Sequence, residues 1–485
     1  MPGPSSPIHK DSFIRRPLMG VDQRKLADVE LNQVAVDAEP SPEEPEAFPE
    51  KPGMSAEKPD NRIRPHLKCL ANGTFNFANS ILGAGIIGMP FALRRTGLLI
   101  GVCLMIGVAS LTAYSSQMLV LCGHKLGCKT YEELCQKVLG KQAYICVLVC
   151  MTAFAFGGMT AYIIIIGDTL TYVADSVLGA GTVFGNRQFV VALVSTLLVL
   201  PISSPRDISK LANWSFFSLI VITAIVLVVL VRGPAASAEI YALKGTDPVP
   251  LSVIESTLFA GIGTMSFAFV CNHSAFLVFN SMNNPTPRIW NWCANLSVGF
   301  AWVLCAFLGI AGYVYFRDGA HPDILSNFPK NDLSANIARG LLAVTMALTY
   351  PMEMFVARHC LLEAFHPGVR HHTTVRHMAA TLTLWLATTG LALGIPKLGL
   401  VIEITGALSA SCLGYILPGI ICLTVAGDVR QNLKSSWSTL DGKYQEPSLL
   451  KRLKQTFRDA GPITLVTFGT VAMVAGTATA FLGTN

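Results

Sequence analysis

Charge is scarce in this chain. Asp, Glu, Lys and Arg make up 14% of its 485 residues, against roughly 25% in a soluble domain. With 52% hydrophobic residues, that shortage excludes an ordinary water-solvated globule and points to a membrane protein. Short alternating segments of the kind that build a β-barrel are also missing, because the apolar runs are too long and too uniform. Crossing the hydrocarbon core takes about 20 apolar residues, and eleven runs qualify: 70–93, 98–122, 143–174, 187–204, 211–231, 254–280, 291–315, 335–357, 376–395, 398–425 and 462–482. In lipid each backbone group has to be satisfied inside its own helix or in a closed barrel. The expectation is an all-α polytopic membrane protein with 11 transmembrane helices.

Other absences narrow the reading. No signal peptide is expected at the start, where residues 1–68 are polar and proline-rich and include the acidic run EPSPEEPEAFPE; such a segment buries too little apolar surface to fold. The expected division is a disordered cytosolic tail, 1–68, and a membrane domain, 69–485. Cysteine is absent from every outward connection, so the 13 cysteines read as free packing thiols. The sequons at Asn72, Asn213, Asn272 and Asn295 lie in or against spans, where a glycan does not fit. If the tail is cytosolic, it and the even-numbered connections hold 27 of the 36 Lys and Arg, as the positive-inside rule requires. The net charge of +6 then reports topology, and no nucleic-acid partner is expected.

The first span is interrupted by NSILGAGIIGMP, residues 79–90, with Gly83, Ala84 and Gly85 at its centre and Pro90 behind them. Glycine costs a helix about 1 kcal/mol relative to alanine, and open backbone at membrane depth survives only where it lines a cavity or meets a ligand. A half-helix starting near Ile86 would aim N–H groups at a bound anion, while carbonyls of the preceding half face a cation. Close helix packing through small residues is the plainer alternative. The sixth span, GIGTMSFAFVCNHSAFLVF, repeats the irregularity, with the polar cluster Cys271-Asn272-His273-Ser274 at mid-depth; Asn and Ser cap helix starts with a side-chain oxygen, so a half-helix is expected to begin there. Interrupted first and sixth spans among ten are a pointer to the binding site of secondary transporters.

Oxygen ligands precede the first break, at Asn76, Asn79 and Ser80, and the eighth span carries Thr345 and Thr349 on one face. Together they are a cation site without a carboxylate, unless the hydroxyls simply return bonds to their own helix. Ionisable residues inside spans are functional candidates, here Asp168, His273, Glu353 and Glu403. Asp168 and Glu403 are placed toward span ends; His273 and Glu353 are candidate coupling residues, with Arg358 an alternative partner for Glu353. Residues 130–139, YEELCQKVLG, read as an interfacial amphipathic helix, 428–461 as a long loop with the basic run KRLKQ, and Trp214, Trp290 and Trp292 as belt residues. No nucleophile elbow, phosphate loop or zinc-protease signature occurs, and the histidines at 366, 371, 372 and 377 lack partners at metal-ligand spacing. No enzyme and no resident cofactor are expected.

NFANSILGAGIIGMPFAL resembles the first-helix signature of the amino acid/auxin permease superfamily. GDTL, LPISSPRDISKLANWS, MSFAFVCNHSAFLVFNSM and LTYPMEMFVAR are similar to its sodium-coupled neutral amino acid transporter branch, in collinear order over residues 70–425. The resemblance implies a LeuT-like fold of two inverted five-helix repeats plus one helix, working by alternating access as a secondary transporter of neutral amino acids coupled to sodium, with protons as the runner-up. Substrate would bind unwound backbone at Gly83, Ala84, Gly85 and Ile86 and at Phe267, Ala268, Phe269 and Val270, with Tyr162 and Ser266 as further lining. A sodium ion would sit on Asn79 and Thr345 or Thr349. In one respect the chain departs from the branch: residues 232–251 have neither the cysteine pair nor the glycosylation of its outer loop. That leaves open plasma membrane or lysosomal/vacuolar membrane, sodium or proton as coupling ion, and the alternative of an amino acid sensor without net flux.

Overall fold

Long apolar runs in this chain form helices because lipid offers their amides no other partner. The computed structural model describes residues 60–179, 181–206, 215–244, 250, 257–282, 285–369, 372–426 and 449–482. Fourteen helices follow one another: α1 (Asp60–Ile81), α2 (Met89–Thr96), α3 (Leu98–Leu126), α4 (Tyr131–Leu139), α5 (Lys141–Leu178), α6 (Arg187–Ser203) and α7 (Ser215–Lys244), then α8 (Thr257–Phe269), α9 (Asn272–Ser281), α10 (Pro287–Phe316), α11 (Leu333–Phe365), α12 (Thr374–Gly394), α13 (Leu398–Ala426) and α14 (Leu449–Leu482). No strand occurs among the described residues. Among the described residues eight helices are long and apolar enough to cross a membrane, and nine if the bent pair α1–α2 is one span. The two remaining expected spans match α6, which is shorter, and α12, which carries Arg376, His377 and five threonines.

Boundaries differ from expectation where local pattern is weak. Helix α1 begins at Asp60, ahead of the division at 68/69, while residues 1–59 lie outside the described residues. The KRLKQ run at 451–455 belongs to α14 and not to a loop, because the helix starts at Leu449. Trp290 is no belt residue: it is fully buried, and its indole N–H donates to the Ser116 carbonyl at 3.1 Å. Trp292 is exposed, and Trp214 and His371 lie outside the described residues.

Burial sorts the helices. The window spanning α8 and α9 is 94% buried and that of α14 only 28%, so the sixth span is central and the last one peripheral. Helix α8 packs against α2, α13 and α14, and α5 packs most extensively against α11. Helix α4 is tied at its start by Thr130, whose hydroxyl accepts from Glu133 N at 3.2 Å, while Glu133 accepts from Lys129 N at 2.8 Å. This reciprocal pattern satisfies donors that a helix start leaves open.

Candidate functional site

The first span breaks between Ile81 and Ile86, and its halves meet at 53°. Gly83 N closes a tight turn on the Ile81 carbonyl at 2.9 Å, and Gly88 N bonds Gly85 O at 3.2 Å as a short 3-10 turn, Ile86–Gly88, leads into α2. Pro90 falls in the first turn of α2, where its missing N–H would have had no helical partner. The features that weaken one continuous helix are thus the ones suited to ending one half and starting another. Everything from Leu82 to Leu93 is buried.

The second interruption faces the first. Helix α8 ends at Phe269, Val270 and Cys271 are non-helical, and α9 starts at Asn272. Contrary to the capping expected of an asparagine here, Asn272 makes no cap; its amide donates to Ser115 Oγ at 2.7 Å and to the Leu413 and Gly414 carbonyls at 3.3 Å. Ser274 instead returns its hydroxyl to Cys271 O at 2.9 Å. A Cβ on Gly85 would lie 2.4 Å from Cα of Ala268, and one on Gly83 would lie 2.7 Å from the Tyr162 hydroxyl. The structure therefore brings Gly83, Gly85, Tyr162 and Ala268 to one place, with Ala84, Ile86, Ser266, Phe267, Phe269 and Val270 buried around them. Ring contacts at 5.5 Å to Phe267 and 4.8 Å to His273 place Phe154 of α5 beside the second break.

His273 and Glu353 meet across α9 and α11, with Nε2 and Oε1 3.6 Å apart and both residues buried. The other two ends of this pair, Nδ1 of His273 and Oε2 of Glu353, are buried without a hydrogen-bond partner. Such groups are costly unless something else binds there. Arg358 is not the partner of Glu353, because its guanidinium donates to the Ser203 and Pro205 carbonyls and to Thr381 Oγ1, at 3.0 to 3.1 Å. Glu353 and Arg358 stand little more than one helical turn apart on α11, yet they face different neighbours.

Ligands proposed for a cation are less clearly gathered. Asn79 is buried, Ser80 returns its hydroxyl to Asn76 O at 3.1 Å, and Thr345 and Thr349 donate to Leu341 O and Thr345 O at 2.9 and 2.8 Å. Each threonine oxygen still has lone pairs for an ion, but its proton is committed to its own helix. Asp168 pairs with Arg187, whose other arm reaches Ala392 O at 3.1 Å, and so joins α5, α6 and α12. Glu403 of α13 lies 3.5 Å from Arg95 of α2.

A cavity of about 750 Å³ opens on the face away from α4, lined among others by Arg95, Asp168, Arg187, Asp323, Lys330 and Glu403. None of residues 79–90 lines it, whereas both members of the Arg95–Glu403 pair do. The vestibule wall from 317 to 332 is anchored by the buried Arg339, which donates to the Leu325 and Phe328 carbonyls at 2.8 Å and to Asn336 Oδ1 at 2.6 Å. Sequence reading missed Asp323 in this wall. Burial, helped by the charge of Asp168, pushes its carboxyl up to about 6.

An acid whose folded pKa lies above its unfolded value near 3.8 binds more protons when folded, so its contribution is present at low pH and lost as pH rises toward 6. The Asp323→Asn protein should therefore lose less thermal stability than the parent between pH 4.5 and pH 7, by on the order of 2 kcal/mol. Equal pH dependence of melting in the two proteins would show that Asp323 is not held in its protonated form.

Relatives place this geometry. Residues 70–441 match the family described as Transmembrane amino acid transporter protein. A Danio rerio protein named "Putative sodium-coupled neutral amino acid transporter 11" is 34% identical over 361 residues, covering 74% of this chain and 80% of its own. Vacuolar amino acid transporter 2 of Saccharomyces cerevisiae is 32% identical over 359 residues, 71% of this chain and 74% of the relative. In fold, the chain is similar to a crystal structure of the Eremococcus coleocola manganese transporter, with a TM-score of 0.54, 15% identity, and 89% and 91% of the two chains covered. The architecture is the all-α, LeuT-like one. With the match running through both breaks and most of both chains, this protein belongs to the transmembrane amino acid transporter family.

Proposed function

We propose that the chain is a secondary active transporter that binds an amino acid between the breaks at 81–86 and 270–271 and couples its passage to a proton carried by the His273–Glu353 pair. The observation that carries this reading is the pair itself: a buried imidazole and carboxylate at 3.6 Å, each with one unbonded polar atom, spanning α9 and α11 next to the break. Protonation changes its charge, and a ligand can bias the alternation of conformations only by binding them unequally. Backbone of Gly83, Ala84, Gly85 and Ile86 would take the substrate's carboxylate and amino group, and Tyr162 would stand over it.

Sodium is the second reading. It is favoured by Asn79 and the helix-turn pair Thr345 and Thr349, and by relatives whose names include sodium coupling. In reconstituted liposomes, a panel of neutral amino acids should accumulate under an inward proton gradient imposed without sodium. Accumulation that appears only with a sodium gradient, and that weakens in Asn79→Ala, would replace the proton with sodium. Saturable binding with no uptake under either gradient would make the protein a sensor. An acidic organelle would supply the proton gradient, and the vacuolar relative is consistent with that compartment.

A further inference from the structure

Three cysteines far apart in sequence converge where α5 meets α13. Cys146 and Cys150 stand one helical turn apart on α5, and Cys412 begins a π-helical stretch, Cys412–Ile416, in α13; their sulfurs all lie within 4.8 Å of one another. Cys412 is buried, Cys150 half-buried and Cys146 exposed. The cluster is close to the face that carries α4. Tyr144, half a turn before Cys146, hydrogen-bonds Glu363 at 2.8 Å, and Glu363 in turn accepts from Gly368 N in the following loop.

We propose that Cys146, Cys150 and Cys412 form a binding site for a thiophilic divalent cation of the Zn²⁺ class, which clamps α5 to the wide turn of α13. A tetrahedral metal with three thiolates at about 2.3 Å sets its sulfurs about 3.8 Å apart, so the observed spacing needs only side-chain rotation to close. An all-sulfur set selects soft cations over Mg²⁺, Ca²⁺ or Na⁺. Cys146, the exposed member near the start of α5, leaves the fourth position of the tetrahedron open. Binding forms three S–Zn bonds, breaks three S–H bonds and releases three protons to water, with no change of oxidation state.

The backbone is built to hold Cys412 still. A π-helical turn leaves carbonyls without their usual partners, and here neighbours take them: Tyr131 of α4 donates to Leu413 O at 2.9 Å, and Asn272 and Ser115 bond the Leu413 and Gly414 carbonyls. Cys412 thus projects from an anchored segment toward two thiols on a rigid helix, which limits the ordering cost of binding.

Cd²⁺ is the probe, titrated into the purified full-length protein in detergent. A thiolate-to-metal charge-transfer band should grow and saturate at one ion per chain, and Zn²⁺ should displace Cd²⁺ and raise the melting temperature. Cys412→Ser and Cys150→Ser should each weaken Cd²⁺ binding at least tenfold and abolish the Zn²⁺-dependent rise, whereas Cys103→Ser, outside the cluster, should change neither. If Cys412→Ser does not fold, Cys146→Ser at the exposed position replaces it. No saturable band in the parent, or a band of equal affinity in the cluster variants, would overturn the site. None of these readouts requires transport, so the result is independent of the coupling ion.

Discussion

Glu353→Gln should abolish proton-driven accumulation while leaving exchange of amino acid between equal concentrations intact. With one proton per substrate, a gradient of one pH unit supports about tenfold accumulation, since tenfold corresponds to about 1.4 kcal/mol; the variant should show none. Glutamine keeps the shape and a hydrogen-bonding group opposite His273 Nε2, 3.6 Å away in the parent, but it carries no exchangeable charge. Loss of folding is therefore not the expected outcome, and retained counterflow would demonstrate a competent site. Wild-type accumulation by Glu353→Gln under a proton gradient would remove the pair from coupling.

Gly85→Ala should be the most damaging single methyl in the first break. Its Cβ would lie 2.4 Å from Cα and 2.5 Å from Cβ of Ala268, backbone against backbone at the point where the two interrupted helices touch. Overpacking a core costs typically 1–3 kcal/mol when side chains give way; here backbone has to move, so a loss on the order of 3 kcal/mol and at least a hundredfold loss of uptake are expected. Gly83→Ala is the control, because its clash is with the far end of Tyr162 at 2.7 Å, which rotates away. That variant should fold normally and show weaker substrate binding. A Gly85→Ala protein with parental melting temperature and uptake would mean the breaks are not in the contact described.

Much of the fold was legible where the cause is local. The break could be placed at Gly83-Ala84-Gly85 because glycine and a following proline act within a turn of themselves, and the chain bends there. YEELCQKVL could be read as an amphipathic helix because its apolar residues recur at helical spacing, and α4 runs over Tyr131–Leu139. The second break was located at the right cluster, but its capping was misassigned: Asn272 had a choice between local backbone and the freed carbonyls of α13, and took the latter. Trp290 was misread because proximity to a span end does not tell which way a side chain faces. The thiol cluster left half a signal in sequence, Cys146 and Cys150 at helical spacing, and none for Cys412.

By itself, then, the sequence determined that the chain lives in a membrane and where its first span breaks, since each follows from composition or from neighbours within a turn, and its motifs carried the family resemblance. Tertiary structure alone decided the partners: His273 with Glu353, Arg358 with the end of α6, Arg95 with Glu403, Cys412 with two thiols of α5. An amphipathic helix shows its facing as a polar stripe. Helices apolar on every side carry no such stripe, so their rotation is set only by the helices packed around them, and with it every contact between distant residues.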